Sequence, residues 1–244
     1  MYLEDYLWFF IALGVCALIS AFATIKVRTT YAKYEKVFTR SNYTGYDTAT
    51  RLLYSNDIYN VTVNRVSGHL TDHYHPTKKQ LNLSESTFGS NSVAAVAVSA
   101  HEVGHVLQEK KGYFFYKVRK TIVPIVNLGS RLAMPLVLVG IIIDLLALTA
   151  NENAGFYVAM VGVVLYGLSF LFTLITLPVE IDASKRARKM LLNQGILTQD
   201  EIKGANAVLS AAAFTYLASM LTSLVYFLRF LLYVLSIFGR RSRR

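Results

Sequence analysis

Hydrophobic residues in this chain come in long blocks separated by short polar stretches. Residues 7–25 hold no charge, residues 155–179 hold none, and residues 207–238 hold only Arg229. Residues 132–148 form a further block containing Asp144, just after Arg131. About 20 apolar residues in a helix cross a bilayer, and the 132–148 block reaches that length if its helix begins near Ile122. The pattern predicts about four transmembrane helices. The first block follows Glu4 and Asp5 and shows no small-residue cleavage site, so it reads as a retained anchor, not a signal peptide.

Shorter periods occupy the polar stretch after the first block. Residues 44–55 predict a short helix with Leu52 and Leu53 inward. Residues 59–66 alternate, with Val61 and Val63 on one face, and residues 79–84 alternate again, with Leu81 and Leu83 inward. Both read as strands, with turns at Gly68 and Pro76-Thr77. Ser90, Asn91 and Ser92 then offer an N-cap, residues 93–100 are apolar and small, and Lys110, Lys111 and Gly112 offer a stop. The expected helix runs from about 92 to 111.

That helix contains His101-Glu102-Val103-Gly104-His105. Histidines four apart share one helix face and can hold one Zn²⁺. Glu102 is placed to take a proton from a water that the metal has acidified. His101 and His105 are therefore the candidate metal ligands, Glu102 the candidate catalytic base and Zn²⁺ the expected cofactor. His69, His73 and His75 lie close together, with Asp72 among them, but the set is not read as a second metal site and the histidines read as structural.

Composition supports the membrane reading: 54% of residues are hydrophobic and the mean hydropathy is +0.39. The formal charge of +10 is concentrated at 26–40, 110–120 and 185–189. Loop 149–154 and residues 1–6 carry no basic residue. By the positive-inside rule the N-terminus and loop 149–154 face outward, while 26–121 and 180–206 are cytoplasmic. The basic balance is then membrane topology and attraction to anionic lipid, with no nucleic-acid motif. The basic tail from Gly239 to Arg244 breaks this scheme: either the fourth block is re-entrant or a broken hairpin, or the tail departs from the rule. The lone cysteine, Cys16, excludes an internal disulfide.

A catalytic zinc takes three protein ligands. Every other histidine lies upstream of the motif, so a downstream carboxylate is expected, from among Glu109, Asp144, Glu152, Glu180, Asp182, Asp200 and Glu201. Asp144 and Glu152 fall toward the outer side, and Asp200 and Glu201 read as a helix start. Glu180 follows Pro178 at the cytoplasmic end of the third span, on the side of the zinc motif, and is the candidate third ligand.

His-Glu-Val-Gly-His-Val-Leu-Gln at 101–108, the small apolar run at 92–100, Leu-Thr-Asp-His-Tyr at 70–74 and Pro-Val-Glu-Ile-Asp-Ala-Ser-Lys-Arg-Ala at 178–187 resemble the bacterial YugP-type neutral zinc metallopeptidases. The likeness runs from about Thr44 to Leu217 and implies a membrane metallopeptidase. More loosely, the chain is similar to membrane gluzincins of the HtpX and prenyl-protein endopeptidase type. Their Glu-x-x-Ala-Asp places the glutamate on zinc; here Glu180 and Ala183 match and Ser184 replaces the aspartate. The resemblance implies that Ser184 or Asp182 supports a zinc-bound histidine, and that an edge strand, matched by 79–84, holds peptide substrate.

The combined expectation is a mainly α integral membrane protein with a cytoplasmic α+β zincin-like domain containing a small sheet. Its segments are a first transmembrane helix (1–25), a cytoplasmic segment with the zinc helix (26–121), a two-span hairpin (122–179), a cytoplasmic segment with the third ligand (180–206) and a fourth membrane segment with the tail (207–244). The expected function is a zinc endopeptidase in the cell membrane, acting from the cytoplasmic side on peptide or protein substrates at the bilayer. The alternative is a non-catalytic adaptor or holdase with structural zinc, which would have no use for Glu102. A transporter ranks last, because the spans hold too few ionisable groups.

Overall fold

The computed structural model describes residues 3–146 and 153–239. In chain order the elements are α1 (Leu3–Tyr34), α2 (Gly45–Tyr54), β1 (Thr62–Val66), β2 (His73–His75), β3 (Gln80–Ser84), α3 (Glu85–Phe88), α4 (Val93–Lys110), α5 (Phe114–Leu145), α6 (Ala154–Asn193) and α7 (Glu201–Gly239). They divide between two units. One comprises Met1–Ser20, Val118–Thr176 and Leu217–Arg244, the other Ala21–Lys117 and Leu177–Tyr216.

Four helices are long and apolar enough to cross a membrane, over Phe10–Tyr34, Phe114–Leu145, Ala154–Asn193 and Glu201–Phe238. Within the first unit, small residues bring α5 and α6 together. A Cβ on Gly140 would lie 2.5 Å from the Gly155 carbonyl oxygen, and one on Gly162 would lie 2.5 Å from that of Ala133. Such close approach is how apolar helices gain van der Waals contact without a hydrophobic driving force between them. Val137, Ala159, Val163, Val234 and Phe238 form the core of this unit. Trp8, Leu18, Leu128, Val164 and Leu232 point outward, where lipid would cover them.

The second unit is built around α4. Thr44 caps α2 in a reciprocal pair with Asp47, and the Ser99 hydroxyl donates to the Gly45 carbonyl at 2.6 Å, fastening α2 to α4. Leu52, Leu53, Leu81, Leu83, Val93, Val96, Ala97, Ala100 and Val103 are buried in one core, with Val61 and Val63 packed against it. The two expected strands and their inward faces are therefore present. The sheet has the order β1-β3-β2, with β1 parallel to β3 and β2 antiparallel to it.

Several expectations change. Residues 80–84 form the central strand of the order β1-β3-β2, paired with β1 throughout and with β2 over 80–82, so they are not an edge strand open along its length; the outer strands are β1 and β2. Neither β2 as a paired strand nor α3 was expected. The helix of the first block runs on to Tyr34, because its basic residues after Ile25 are good helix formers. The helix that carries the second block starts upstream at Phe114 and includes Pro124 and Pro135. Pro178 lies inside α6, which continues past the expected third span to Asn193, so Glu180 sits within a helix. The fourth block is one unbroken helix, which removes the re-entrant or broken hairpin. Residues 149–152 of the expected outer loop and 240–244 of the tail lie outside the described residues.

Candidate metal centre

Local chemistry sets the ends of α4. The Ser92 hydroxyl accepts from the Ala95 amide at 3.2 Å. At the other end Gly112 takes a left-handed conformation, φ +65°, and the Tyr113 amide returns to the Gln108 carbonyl at 2.9 Å. That geometry closes the last carbonyls of a helix and favours glycine. Between these ends His101 and His105 occupy one face, with ring centroids 4.8 Å apart.

The facing residue comes from α6. Glu180 Oε2 lies 3.1 Å from His101 Nε2 and 3.5 Å from His105 Nε2. One possible ligand atom from each of the three residues falls within 4.8 Å of the other two. The structure thus brings together the three residues expected to hold zinc, from positions 79 apart in sequence for His101 and Glu180. Two imidazole nitrogens and a carboxylate oxygen form a donor set that suits catalytic zinc. The remaining ring nitrogens are engaged: His101 Nδ1 with the Ser184 hydroxyl at 3.2 Å, and His105 Nδ1 with Gln108 Oε1 at 3.0 Å. Both Nε2 atoms are left facing the carboxylate, so the residues fit a bound zinc.

Glu102 is buried on the same helix. Burial pushes its carboxyl above the usual carboxylate range, against the pull of His105 and His101. Burial lowers the proton affinity of His105, but the hydrogen bond and charge of Glu180 outweigh it and the net shift is upward. These opposed effects mark a site where charge is held out of water, as is common in active sites.

The other candidate carboxylates are engaged elsewhere. Glu109 accepts from Tyr74 at 2.6 Å and from Lys79 at 2.7 Å. Asp182 accepts from Arg186 at 2.6 Å and from Gln108 at 2.9 Å. Asp200 pairs with Lys203 at 3.1 Å, and Glu201 accepts the amides of Thr198 and Arg40, each at 2.7 Å. Asp144 belongs to the first unit, and Glu152 lies outside the described residues. The upstream histidines serve local structure. His69 meets the Tyr31 ring edge-on, His73 contacts the Thr71 carbonyl and Asn82, and His75 accepts the Lys78 amide. Gln108 is the site residue that sequence reasoning missed. Its only signal is its place three residues after His105, which puts both on one helix face.

Gly104 explains how the two helices come so close. A Cβ there would sit 2.6 Å from the Ala183 carbonyl oxygen. Gly104→Ala gains about 1 kcal/mol of helix propensity, but overpacking against backbone costs about 1–3 kcal/mol, and it separates the histidines from Glu180. The expected outcome is a lower melting temperature and weaker zinc binding, measured by thermal unfolding and chelator competition. A stabilised variant with unchanged zinc affinity would show that the contact yields freely.

A family model described as "Putative neutral zinc metallopeptidase" matches residues 9–235. The chain is 41% identical over 228 residues to "Putative membrane protease YugP" of Bacillus subtilis (strain 168), across 93% of this chain and 97% of that one. No solved structure matches it. A site of two histidines and a glutamate, four helices fit to cross a membrane and these two matches agree, and the chain belongs to the neutral zinc metallopeptidase family.

Proposed function

We propose that this protein is a membrane-embedded zinc endopeptidase that hydrolyses peptide bonds of membrane or membrane-proximal proteins. The observation that carries the reading is the convergence of His101, His105 and Glu180 beside the buried Glu102. The three converging residues would hold the metal, in the manner of a gluzincin. Zinc bound there would acidify a water and polarise the scissile carbonyl. Glu102 takes the proton of the attacking water and returns it to the leaving amine, serving as base and then as acid. Ser184 and Gln108 keep the two imidazoles turned toward Glu180. A purely structural zinc would have no need of a buried carboxyl at position 102.

The wild-type protein, purified in detergent, should contain close to one zinc per chain and cleave an unfolded protein. A strong chelator should stop the cleavage and added zinc restore it. Full zinc content with no cleavage of any unfolded or membrane substrate would favour the adaptor reading.

We place residues 26–121 and 180–206, which include the site, on the cytoplasmic side of the cell membrane, with 1–25 and 122–179 as membrane segments and 207–244 as the fourth membrane segment and basic tail. The support is the basic charge around Lys26–Arg40, Lys110–Lys120 and Lys185–Lys189. Ser67 is exposed. In a Cys16→Ser background, Ser67→Cys should react with a membrane-impermeant thiol reagent only after cells are permeabilised. Labelling in intact cells would invert the orientation.

A further inference from the structure

We infer that Gln108 is a positioning residue that fixes which nitrogen of His105 is free to bind metal; the inference rests on the reading of His105 as a zinc ligand. Gln108 is fully buried. Its Nε2 donates to the Val179 carbonyl at 2.7 Å and to Asp182 Oδ2 at 2.9 Å. Arg186 Nε donates to the same Asp182 oxygen at 2.6 Å. A backbone carbonyl and a carboxylate can only accept. The atom of Gln108 that faces them must therefore be the nitrogen, and this sets the flip of the amide.

The consequence passes to the histidine. With its nitrogen committed to α6, Gln108 presents Oε1 to His105 Nδ1 at 3.0 Å. An amide oxygen can only accept, so the ring proton sits on Nδ1. His105 Nε2 then keeps its lone pair, on the side where Glu180 Oε2 lies 3.5 Å away. The partner of a ligating imidazole sets its tautomer and orientation in this way. Here the partner is itself oriented by an Arg186–Asp182 pair on the helix that carries Glu180. One chain of hydrogen bonds, Arg186 to Asp182 to Gln108 to His105, thus ties the tautomer of one candidate ligand to the helix of another. His101 is held differently. Its Nδ1 meets the Ser184 hydroxyl, which can donate or accept and so dictates no tautomer.

Two measurements on the full-length protein in detergent test this. In the zinc-loaded wild type, long-range proton–nitrogen spectra should find the His105 proton on Nδ1; a proton on Nε2 overturns the proposal without any variant having to fold. Gln108→Met keeps the length of the side chain and removes every hydrogen bond. It should weaken zinc binding about 10–100-fold and change the visible spectrum of the cobalt-loaded protein, because His105 loses its fixed orientation. Wild-type affinity and spectrum in Gln108→Met, with zinc lost in His105→Ala, would overturn the role of Gln108 and leave the site intact. Zinc retained in both His101→Ala and His105→Ala would instead remove the site on which the proposal rests.

Discussion

Glu102→Gln is expected to leave zinc bound and the fold unchanged while peptide cleavage falls about 10²–10⁴-fold or more. Glutamine keeps the volume and shape of the side chain, so the packing of α4 is preserved. It cannot take a proton from water at neutral pH, so the reaction loses its base and, on the return step, its acid. Glu102 is not among the three residues whose ligand atoms converge, which is why zinc content should hold. The check pairs metal analysis with single-turnover cleavage of an unfolded protein. Near wild-type cleavage by the purified variant would rule out this role and favour the adaptor reading.

Glu180→Ala should have the next largest effect. Its carboxylate is buried, and one of its oxygens contacts both imidazoles. Removing it takes away the negative charge of the proposed donor set and leaves two histidines facing a small void. Loss of a group merely behind a ligand costs about 10–100-fold in metal affinity, so loss of a ligand should cost at least that. Asp182→Ala should cost less, since Asp182 acts through Gln108 and Arg186. Zinc affinity from chelator competition decides between them. Unchanged affinity in Glu180→Ala, with loss in Asp182→Ala or Glu109→Ala, would move the third ligand.

The parts of the site that could be read from the sequence are those written within one helical turn. His101, Glu102 and His105 needed only the period of an α-helix. Glu180 needed charge topology and a short motif as well, because the contact that matters spans 79 positions. Gln108 escaped notice because its partners, Val179 and Asp182, are 71 and 74 residues away, and glutamine has no chemistry that announces itself. The fold divides in the same way. Alternation gave Leu81 and Leu83 as buried, but whether their strand lies at the edge or the centre depends on which strands join it. Hydropathy found the four apolar blocks, yet it measures where a chain suits hydrocarbon, not where its helix ends; α1 therefore continues through Lys26, Arg28 and Lys33.

The separation of the donors along the chain has a meaning for biosynthesis. When α4 has left the ribosome, the nascent polypeptide holds the base and two imidazoles. On the proposed ligand set it lacks the carboxylate until translation passes Glu180. Gly104 and Ala183 must then meet backbone to backbone for the last donor to arrive. On that reading a stalled or truncated product would be metal-poor and inert, and hydrolysis would begin only once the second half of the chain has been made and docked. A protease built this way would spare its neighbours in a crowded bilayer during its own manufacture.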